Sequence, residues 1–278
     1  MISIKISTET LQHWEPVASR LSLYALEKSV VLHQRFISNR WNRLLSKASC
    51  NLIPTDNKRP IRSYVIRSGR LTDSQRKALE NHWMDHVIEY EAELIDINTV
   101  FPEIRKLTIE IGFGMGDSLL AMAVENPNSN YIGIEVHKPG VGKLLQGITE
   151  RKLNNLKIIC HDAKEVLLNC FEARTIDKLQ IYFPDPWPKK RHNKRRIVQP
   201  DFIELLEGRL KQNGLIHLAT DWQAYAEHML EVMESAEGLQ NYCGDSNYWL
   251  QPDRPGTKFE RRGQLLGHGV WDLLFEKR

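Results

Sequence analysis

A glycine-rich turn is the first group of residues in this sequence whose types and spacing could do chemistry. Positions 110–117 read Glu-Ile-Gly-Phe-Gly-Met-Gly-Asp and follow a short apolar run. Gly112, Gly114 and Gly116 would let the backbone turn sharply and let a ligand approach it closely. A helix beginning at about Met115 would point its free N–H groups at that ligand. Such a turn is typical of a site for a nucleoside cofactor.

Acidic residues follow the next apolar runs. Glu135 comes 19 residues after Gly116 (135 − 116), where a carboxylate can accept hydrogen bonds from both ribose hydroxyls. Asp162 follows the third run and is placed to meet an adenine amino group. Asp117 stands where the dinucleotide pattern G-x-G-x-x-G has its third glycine, and it would repel a pyrophosphate. Asp117 and Glu110 instead favour the sulfonium and ammonium groups of S-adenosylmethionine. The alternative is that Glu110 and Asp162 only cap loops or pair with cations.

A proline-rich loop carries a further carboxylate. Residues 183–189 read Phe-Pro-Asp-Pro-Trp-Pro-Lys, and the three prolines end any strand that leads into them. Each proline also favours an extended backbone at the residue before it. Asp185 is therefore predicted to be a rigidly aimed catalytic carboxylate beside a methyl donor, with Trp187 stacking on a base or covering the pocket. The alternative is a stiff turn with a solvated aspartate.

A run of positive charge follows this loop directly. It consists of Lys189, Lys190, Arg191, Lys194, Arg195 and Arg196. A charge run is most often a solvated face, but next to a catalytic aspartate we expect it to contact the phosphates of a nucleic acid and set its register. Nothing in the spacing identifies the kind of nucleic acid.

The elements that must position these residues alternate along the chain. Short, mostly apolar, β-branched runs predict strands at 107–111, 131–136, 156–160, 179–183 and 215–219. Helical patterns lie between them, so the fold predicted is α/β, a doubly wound sheet. A last run, 270–275, could add an antiparallel strand. Thr72 and Gln75 have the spacing of a capping box and mark a helix start.

Composition limits the class of protein. The chain has 278 residues, 41% of them hydrophobic, and a net charge of +3 that is too small to indicate a nucleic-acid partner. Cys50, Cys160, Cys170 and Cys243 are scattered, so we expect neither a metal site nor disulfides, and a reducing cytoplasm fits. No apolar run is long enough for a membrane span.

The first sixty residues differ from the rest. They hold nine Lys and Arg against four Asp and Glu, a balance of +5. Apolar residues at helical spacing within 23–45 predict an amphipathic helix, and the polar, proline-containing stretch 51–60 indicates a linker. The predicted organisation is therefore an N-terminal helical extension, 1–60, and a catalytic domain, 61–278.

The residues from 61 to 278 closely resemble the bacterial tRNA (guanine-N7-)-methyltransferases. The segments that carry the resemblance are Arg62-Ser-Tyr-Val65, Gly69-Arg-Leu-Thr72, 110–116, Gly133-Ile-Glu-Val-His137, Cys160-His-Asp162, Phe183-Pro-Asp-Pro-Trp187, 191–198, Ala219-Thr-Asp-Trp222, Thr257-Lys-Phe-Glu260 and 266–272. Pro188 departs from the family, which often has His there, and the extension before residue 61 is longer than the family's short leader.

The resemblance implies a fold, a reaction and a set of roles. The fold is a Rossmann-like methyltransferase sheet, and the reaction is methylation of guanine 46 in the tRNA variable loop, without a partner subunit. The residues implied to contact S-adenosylmethionine are Glu110, Glu135, Asp162 and Asp185, and those implied to contact the substrate are Lys189, Asp221, Thr257, Lys258, Phe259 and Glu260. The basic run from Arg191 corresponds to the RNA-contacting stretch.

Two rival functions remain open at this point. Asp-Pro-Trp resembles the (Asp/Asn)-Pro-Pro-aromatic motif of enzymes that methylate base amino groups, so a different base methyltransferase is one alternative. A non-catalytic RNA-binding protein on the same fold is the other. A nicotinamide dehydrogenase is disfavoured because the third glycine is missing.

Overall fold

A seven-stranded mixed sheet organises the protein. The computed structural model describes residues 61–65, 69–250, 252–256, 260 and 269–278. The strands are β1 Lys106–Ile111, β2 Ser129–Ile134, β3 Leu156–Ile159, β4 Ile176–Tyr182, β5 Leu210–Thr220, β6 Leu239–Asn241 and β7 Trp271–Lys277. Their order across the sheet is β3-β2-β1-β4-β5-β7-β6. Strands β1 to β5 pair in parallel, while β7 runs antiparallel to β5 and β6.

Helices connect the strands. They are α1 Asp73–His86, α2 Ile97–Val100, α3 Asp117–Glu125, α4 Lys138–Arg151, α5 Ala163–Cys170, α6 Pro200–Arg209 and α7 Gln223–Glu234, with a 3-10 helix at Lys190–Arg195. The start of α1 confirms the predicted capping box. The Thr72 hydroxyl accepts a hydrogen bond from the Gln75 N–H at 3.2 Å, and the Gln75 side chain accepts one from the Thr72 N–H at 2.9 Å, so two free donors of the first turn are satisfied.

Helices cover both faces of the sheet, as the doubly wound prediction requires. One buried cluster includes Val166 of α5, Phe202 of α6 and Met229 of α7. A second cluster includes Leu119 of α3 and residues of α1 and α4. Because successive side chains of a strand point to opposite faces, Leu179 and Ile181 in β4 join the first cluster and Tyr182 joins the second. The fold class is therefore confirmed as α/β with a doubly wound, Rossmann-like sheet.

Strand boundaries differ in places from those predicted. Strand β2 ends at Ile134 and β4 ends at Tyr182, so Glu135 and Phe183 are the first residues beyond their strands. Helix α3 begins at Asp117, not at Met115. The three-residue strand β6 was not predicted. The amphipathic helix within 23–45 and the linker 51–60 lie outside the described residues, and the domain division after residue 60 stays a prediction.

Candidate active site

A cleft lies at the edge of the sheet where the parallel strands end. Its walls include residues that follow β1, β2, β3 and β4, which is where open α/β sheets bind ligands. Four of the predicted site residues line it, namely Gly112, Glu135, Asp162 and Asp185. The structure therefore brings together one predicted group from each of four strand ends.

The glycine turn has the backbone geometry that only glycine adopts readily. Gly112, Gly114 and Gly116 have φ values of 74°, 58° and 77°, in the left-handed region that is costly for other residues. A Cβ at Gly112 or Gly114 would meet no atom within 4 Å, so these two positions face open space. Gly116 is enclosed, because a Cβ there would lie 2.9 Å from the Leu144 Cδ1 atom. It is the N-cap of α3.

Glu135 holds the glycine turn against the end of β2. Its Oε2 atom accepts a hydrogen bond from the Gly114 N–H at 2.9 Å. Its Oε1 atom accepts from the Val136 and His137 N–H groups at 2.7 and 3.0 Å. A carboxylate has about four acceptor sites, so Glu135 keeps capacity for one further donor in the cleft.

Asp162 has a structural role as well as a place in the wall of the cleft. It is the N-cap of α5, and its Oδ1 atom accepts a hydrogen bond from the Lys164 N–H at 2.9 Å. It also lies against Tyr64. Burial, together with the charge of Asp162 and a hydrogen bond to it, raises the pKa of Tyr64. Asp162 therefore caps a helix and also lines the cleft, and its contact with a cofactor stays a prediction.

Glu110 lies inside β1, near Glu135 of the cleft wall. Its residue is 3% exposed, and its Oε2 atom is buried with no hydrogen-bond partner among the described residues. Burial, together with the nearby Glu135 carboxylate, raises the pKa of Glu110 to about 8. A buried, unpartnered carboxyl group is costly, and a cation placed above it would favour its ionised form.

The loop after β4 is held at several points. Phe183 and Trp187 have φ values of 51° and 45°, and backbone strain of this kind is concentrated at functional sites. The Phe183 N–H donates to the Ala219 carbonyl at 2.8 Å, and the Trp187 indole N–H donates to the Ser63 carbonyl at 3.1 Å. Asp185, between these residues, is exposed and borders the cleft. The loop therefore presents Asp185 from a fixed backbone.

The basic run forms the 3-10 helix Lys190–Arg195 directly after this loop. Lys189, Arg191 and Lys194 are exposed. The Arg195 guanidinium lies 4.9 Å from the centroid of the Trp187 ring, a distance suited to a cation–π interaction. Arg195 therefore connects the basic helix to the loop that carries Asp185.

Arg196 does not fit the role predicted for it. The residue is 6% exposed, and its Nε–H donates to the Pro186 carbonyl at 2.9 Å. Its guanidinium also lies 4.7 Å from the centroid of the Tyr225 ring. A buried arginine bound to a backbone carbonyl cannot grip an RNA phosphate, so the prediction for Arg196 was wrong, and the residue anchors the proline loop instead.

Of the remaining predicted substrate residues, the structure describes Asp221 and Glu260, and neither is in the lining of the cleft. Asp221 is half-buried and follows β5, outside the lining of the cleft. Glu260 accepts hydrogen bonds from the Arg254 guanidinium at 2.6 and 3.3 Å. Thr257, Lys258 and Phe259 lie outside the described residues. Their contacts with a substrate stay a prediction.

Sequence reasoning missed three positions around the cleft. Tyr64 lines it, and the only signal was its place in the matching segment 62–65. His161 also lines it and stacks on Tyr90 with ring centroids 3.7 Å apart. Gly140 lets α4 abut the glycine turn, because a Cβ there would lie 1.9 Å from the Gly114 carbonyl oxygen. A glycine inside a helical pattern was the available signal.

The sheet order, the glycine turn after β1 and the carboxylates after β2, β3 and β4 define a Rossmann-like methyltransferase. Residues 104–273 match a family model described as "Putative methyltransferase". This match covers more than half of the chain, so the protein is a methyltransferase, an enzyme, and the non-catalytic alternative falls.

Curated relatives resemble the chain over most of their own length. The tRNA (guanine-N(7)-)-methyltransferase of Serratia proteamaculans (strain 568) is 55% identical over 221 residues, which are 79% of this chain and 92% of that protein. The protein of the same name from Yersinia pestis (strain Pestoides F) is 54% identical over the same share. The chain therefore belongs to the tRNA (guanine-N(7)-)-methyltransferase family. The match to the crystal structure of the 16S rRNA methyltransferase KamB covers 66% of this chain and 94% of the KamB chain, at 14% identity and a TM-score of 0.49.

Within the described residues, no helix is long and apolar enough to cross a membrane.

Proposed function

We propose that this enzyme transfers the methyl group of S-adenosylmethionine to N7 of a guanine in tRNA, at position 46 of the variable loop, in the cytoplasm. The names of the curated relatives support the substrate. The single structural observation that carries the proposal is the position of Asp185, which borders the cleft and is followed within five residues by a basic 3-10 helix. A reacting base and the phosphates of its strand could meet these two features together.

The residues of the cleft fit the cofactor. The open space beside Gly112 and Gly114 leaves room for a ligand against the backbone. The remaining acceptor capacity of Glu135 suits ribose hydroxyls, and Asp162 in the cleft wall suits an adenine amino group. The unpartnered Oε2 atom of Glu110 suits a nearby positive charge. When bound, S-adenosylmethionine supplies a methyl group on a positively charged sulfur.

Asp185 serves the reaction by holding guanine, without acting as a base. Guanine N7 has a lone pair and no proton, so the nucleophile needs no deprotonation. The Asp185 carboxylate can accept hydrogen bonds from the guanine N1–H and amino group, which favours guanine because adenine has no N1–H. The base becomes positively charged as its N7 is methylated, and the same carboxylate stabilises that charge. Catalysis then rests on alignment and electrostatic stabilisation.

The basic helix sets the register of the RNA. Arg191 and Lys194 are exposed on it, and such side chains contact phosphates without reading sequence. Arg195 adds its charge close to the proline loop through its contact with Trp187. Phosphates bound here would lie next to the base held by Asp185.

Nucleoside analysis of tRNA tests this proposal. Unmodified tRNA is incubated with enzyme and S-adenosylmethionine, digested and examined by mass spectrometry, with N7-methylguanine as the expected product. Asp185→Asn should lower turnover by about a hundredfold or more, because one acceptor becomes a donor, and should change cofactor affinity by less than about twofold. Asp201→Asn is the matched control, because Asp201 is an exposed aspartate that pairs with Lys164.

Two results would refute the proposal. An amino-methylated base would support the rival base methyltransferase, and alkaline treatment separates the two products because N7-methylguanine is base-labile. Equal turnover of the Asp185→Asn and Asp201→Asn variants would remove Asp185 from the reaction.

A further inference from the structure

An exposed tryptophan at the start of α7 has no part in the function proposed above. Trp222 is the N-cap of α7 and follows β5, which ends at Thr220. It is 41% exposed, although tryptophan is a large apolar side chain that is highly buried on average. Strand β5 pairs in parallel with β4. Trp222 therefore follows its strand at the same edge of the sheet as the loop that carries Asp185.

The first turn of α7 is tied to that loop by one buried side chain. The Arg196 Nε–H donates to the Pro186 carbonyl at 2.9 Å, and its Nη1 atom donates to the Ala224 carbonyl at 3.5 Å. Pro186 is the neighbour of Asp185 in the chain, and Ala224 is two residues after Trp222. Arg196 therefore holds the start of α7 against the loop of the catalytic aspartate.

Tyr225 makes a second link between the same two elements. It lies one turn along α7 from Trp222 and is fully buried. Its ring centroid is 4.7 Å from the Arg196 guanidinium, and its hydroxyl accepts from the Val198 N–H at 3.4 Å. Burial raises the pKa of Tyr225, and the charge of the nearby Asp185 carboxylate adds to this rise. Trp222 thus stands on a fixed helix end beside Asp185.

Trp222 forms one wall of an open groove on the surface, which we call the Trp222 groove. The described residues that line it are Trp222, Gln223, Ala224 and Glu227, and all four are exposed. Its volume is about 340 Å³, within the range of small-molecule sites. The Gln223 side-chain amide donates to Glu227 Oε1 at 3.0 Å. The groove therefore offers an aromatic surface beside an amide and a carboxylate.

This set of groups suits a nucleoside and disfavours a phosphate. An aromatic side chain stacks on the flat face of any base. The Glu227 carboxylate can accept from the N–H groups of a base or from a ribose hydroxyl, and the Gln223 amide keeps one acceptor and one further N–H. The negative charge of Glu227 would repel a phosphate. Base and ribose are therefore the parts of RNA that fit here, in contrast to the basic 3-10 helix.

We propose that the Trp222 groove binds an unpaired base of the substrate tRNA, next in sequence to the guanine held by Asp185. Drawing a guanine into an active site breaks its stacking with its neighbours. Trp222, fixed beside the cleft, replaces part of that stacking and so favours the RNA conformation in which the guanine is available. This inference rests on the proposed function for the identity of the RNA.

Removal of the indole ring tests the groove directly. We expect Trp222→Ala to raise the Kd for unmodified tRNA about tenfold, and Trp222→Phe, which keeps a smaller ring, to raise it about threefold. Binding is measured at one salt concentration and without S-adenosylmethionine, so that no product forms. Because the ring is exposed, the cofactor Kd should stay within about twofold of the wild type and the melting temperature should not change. A merely structural role would move both.

Tyr242→Ala is the matched control. Tyr242 is an aromatic residue that is 62% exposed and follows the edge strand β6. In the sheet order, β6 is two strands beyond β5. Loss of this exposed ring should leave the affinity for tRNA unchanged.

Transcripts that lack a single base identify the partner of Trp222. The two RNAs lack the base on one side or on the other side of the methylated guanine. We expect one of them to bind the wild type about tenfold more weakly, and Trp222→Ala to cause no further loss with that RNA, because both changes remove one interaction. With the other RNA the two losses should multiply.

Glu227→Gln separates a base from a phosphate in the groove. If a base or ribose donates to the carboxylate, the loss of charge should weaken tRNA binding about threefold. If the groove held a phosphate, the same variant would bind tRNA more tightly, because a repulsion would be gone. Tighter binding would overturn the proposal.

The remaining outcomes separate this inference from the proposed function. Equal tRNA affinity of Trp222→Ala and Tyr242→Ala would overturn the groove, as would a full loss from Trp222→Ala with both of the shortened RNAs. If Trp222→Ala does not fold, Trp222→Phe with the same RNAs decides the question. Failure of the wild-type enzyme to form N7-methylguanine would refute the proposed function instead, and the binding measurements do not depend on that product.

Discussion

Glu110 should make the stability of this enzyme fall as the pH rises, in a window that the structure defines. Its pKa rises from 4.5 to about 8 on folding, because the carboxyl group is buried and lies near Glu135. Between these two values the folded protein holds a proton that the unfolded chain has lost. Stability therefore falls with increasing pH, by about 1.4 kcal/mol for each pH unit. The contribution of Glu110 to stability is fully present below about pH 4.5 and fully lost above about pH 8.

The magnitude is large enough to measure. From pH 5 to pH 8 the loss from this one group is about 3 kcal/mol. For a folded unit of this size, that corresponds to roughly 6 to 12 °C in melting temperature. Other groups titrate over the same range, so the quantity to compare is the difference between the wild type and Glu110→Gln. Glutamine has nearly the same shape and no charge, and the variant should gain on the wild type as the pH rises.

Urea or thermal unfolding at several pH values, without ligand, provides the assay. The control is Glu172→Gln, which makes the same chemical change at an exposed position. Its stability should follow that of the wild type at every pH. Parallel curves for Glu110→Gln and the wild type from pH 5 to pH 8 would refute the reasoning, because they would mean that Glu110 titrates alike in both states.

The same carboxyl group should release a proton when the cofactor binds. With a pKa of about 8, Glu110 is about 0.9 protonated at pH 7, and a nearby cation would drive that proton off. Calorimetry in buffers with different heats of ionisation measures the release. Any protons that the cofactor itself exchanges are common to the wild type and to Glu110→Gln, so the difference between them isolates Glu110. A difference near zero would remove Glu110 from the cofactor site.

Two further contrasts follow from the contacts around the cleft. Arg195→Ala should reduce the slope of the log binding constant for tRNA against log salt concentration by about one. Arg196→Ala should leave that slope unchanged. It should lower the free energy of unfolding by about 1–3 kcal/mol, because the Pro186 carbonyl loses its donor. Salt titrations and urea unfolding of the two variants decide this, and equal slopes would contradict the division of roles. Gly140→Ala should weaken cofactor binding about tenfold or more, because its Cβ would displace the Gly114 carbonyl. Gly208→Ala, where a Cβ meets nothing within 4 Å, should instead add about 0.5–1 kcal/mol of stability; equal cofactor affinity in both glycine variants would contradict the packing argument.

The fold was predictable because its signals are local. Apolar runs such as 107–111 and 215–219 are too short for helices and too apolar for surface strands, so they indicated buried parallel strands, and all of the predicted runs lie in or overlap observed strands. The errors fall at the ends. Strand β4 begins at Ile176, three residues before the predicted start. The prediction missed these residues because Asp177 and Lys178 interrupt the apolar pattern of the strand. The short strand β6 had no sequence signal of its own and depends on pairing with β7.

The site was predictable where position follows from topology. Residues directly after parallel strands must share one edge, so Gly112, Glu135 and Asp162 could be placed together without a structure. Arg196 could not be separated from its basic neighbours, because burial in this loop depends on the long-range contact with Tyr225. His217 gave a weak signal, as a polar residue inside an apolar strand. Its partner Asp272 lies 55 residues further along the chain (272 − 217), and Arg254, which binds the same carboxylate, lies 37 residues further (254 − 217), so no local pattern could connect them.

The charges around the cleft fit transfer of a methyl cation to a neutral base better than they fit acid–base chemistry. In such a transfer the positive charge moves from the donor sulfur to the acceptor ring over a short distance, and no proton needs to leave. Glu110 is buried near Glu135, and Asp185 borders the cleft into which the base would enter. The carboxyl group with the raised pKa is then a counter-ion that ionises when a cation arrives, and its proton plays no part in the chemical step. If Glu110 were a general acid or base, the pH dependence of kcat would follow its pKa; on the proposed mechanism that pKa should govern cofactor binding and leave kcat at saturating cofactor independent of pH near 8.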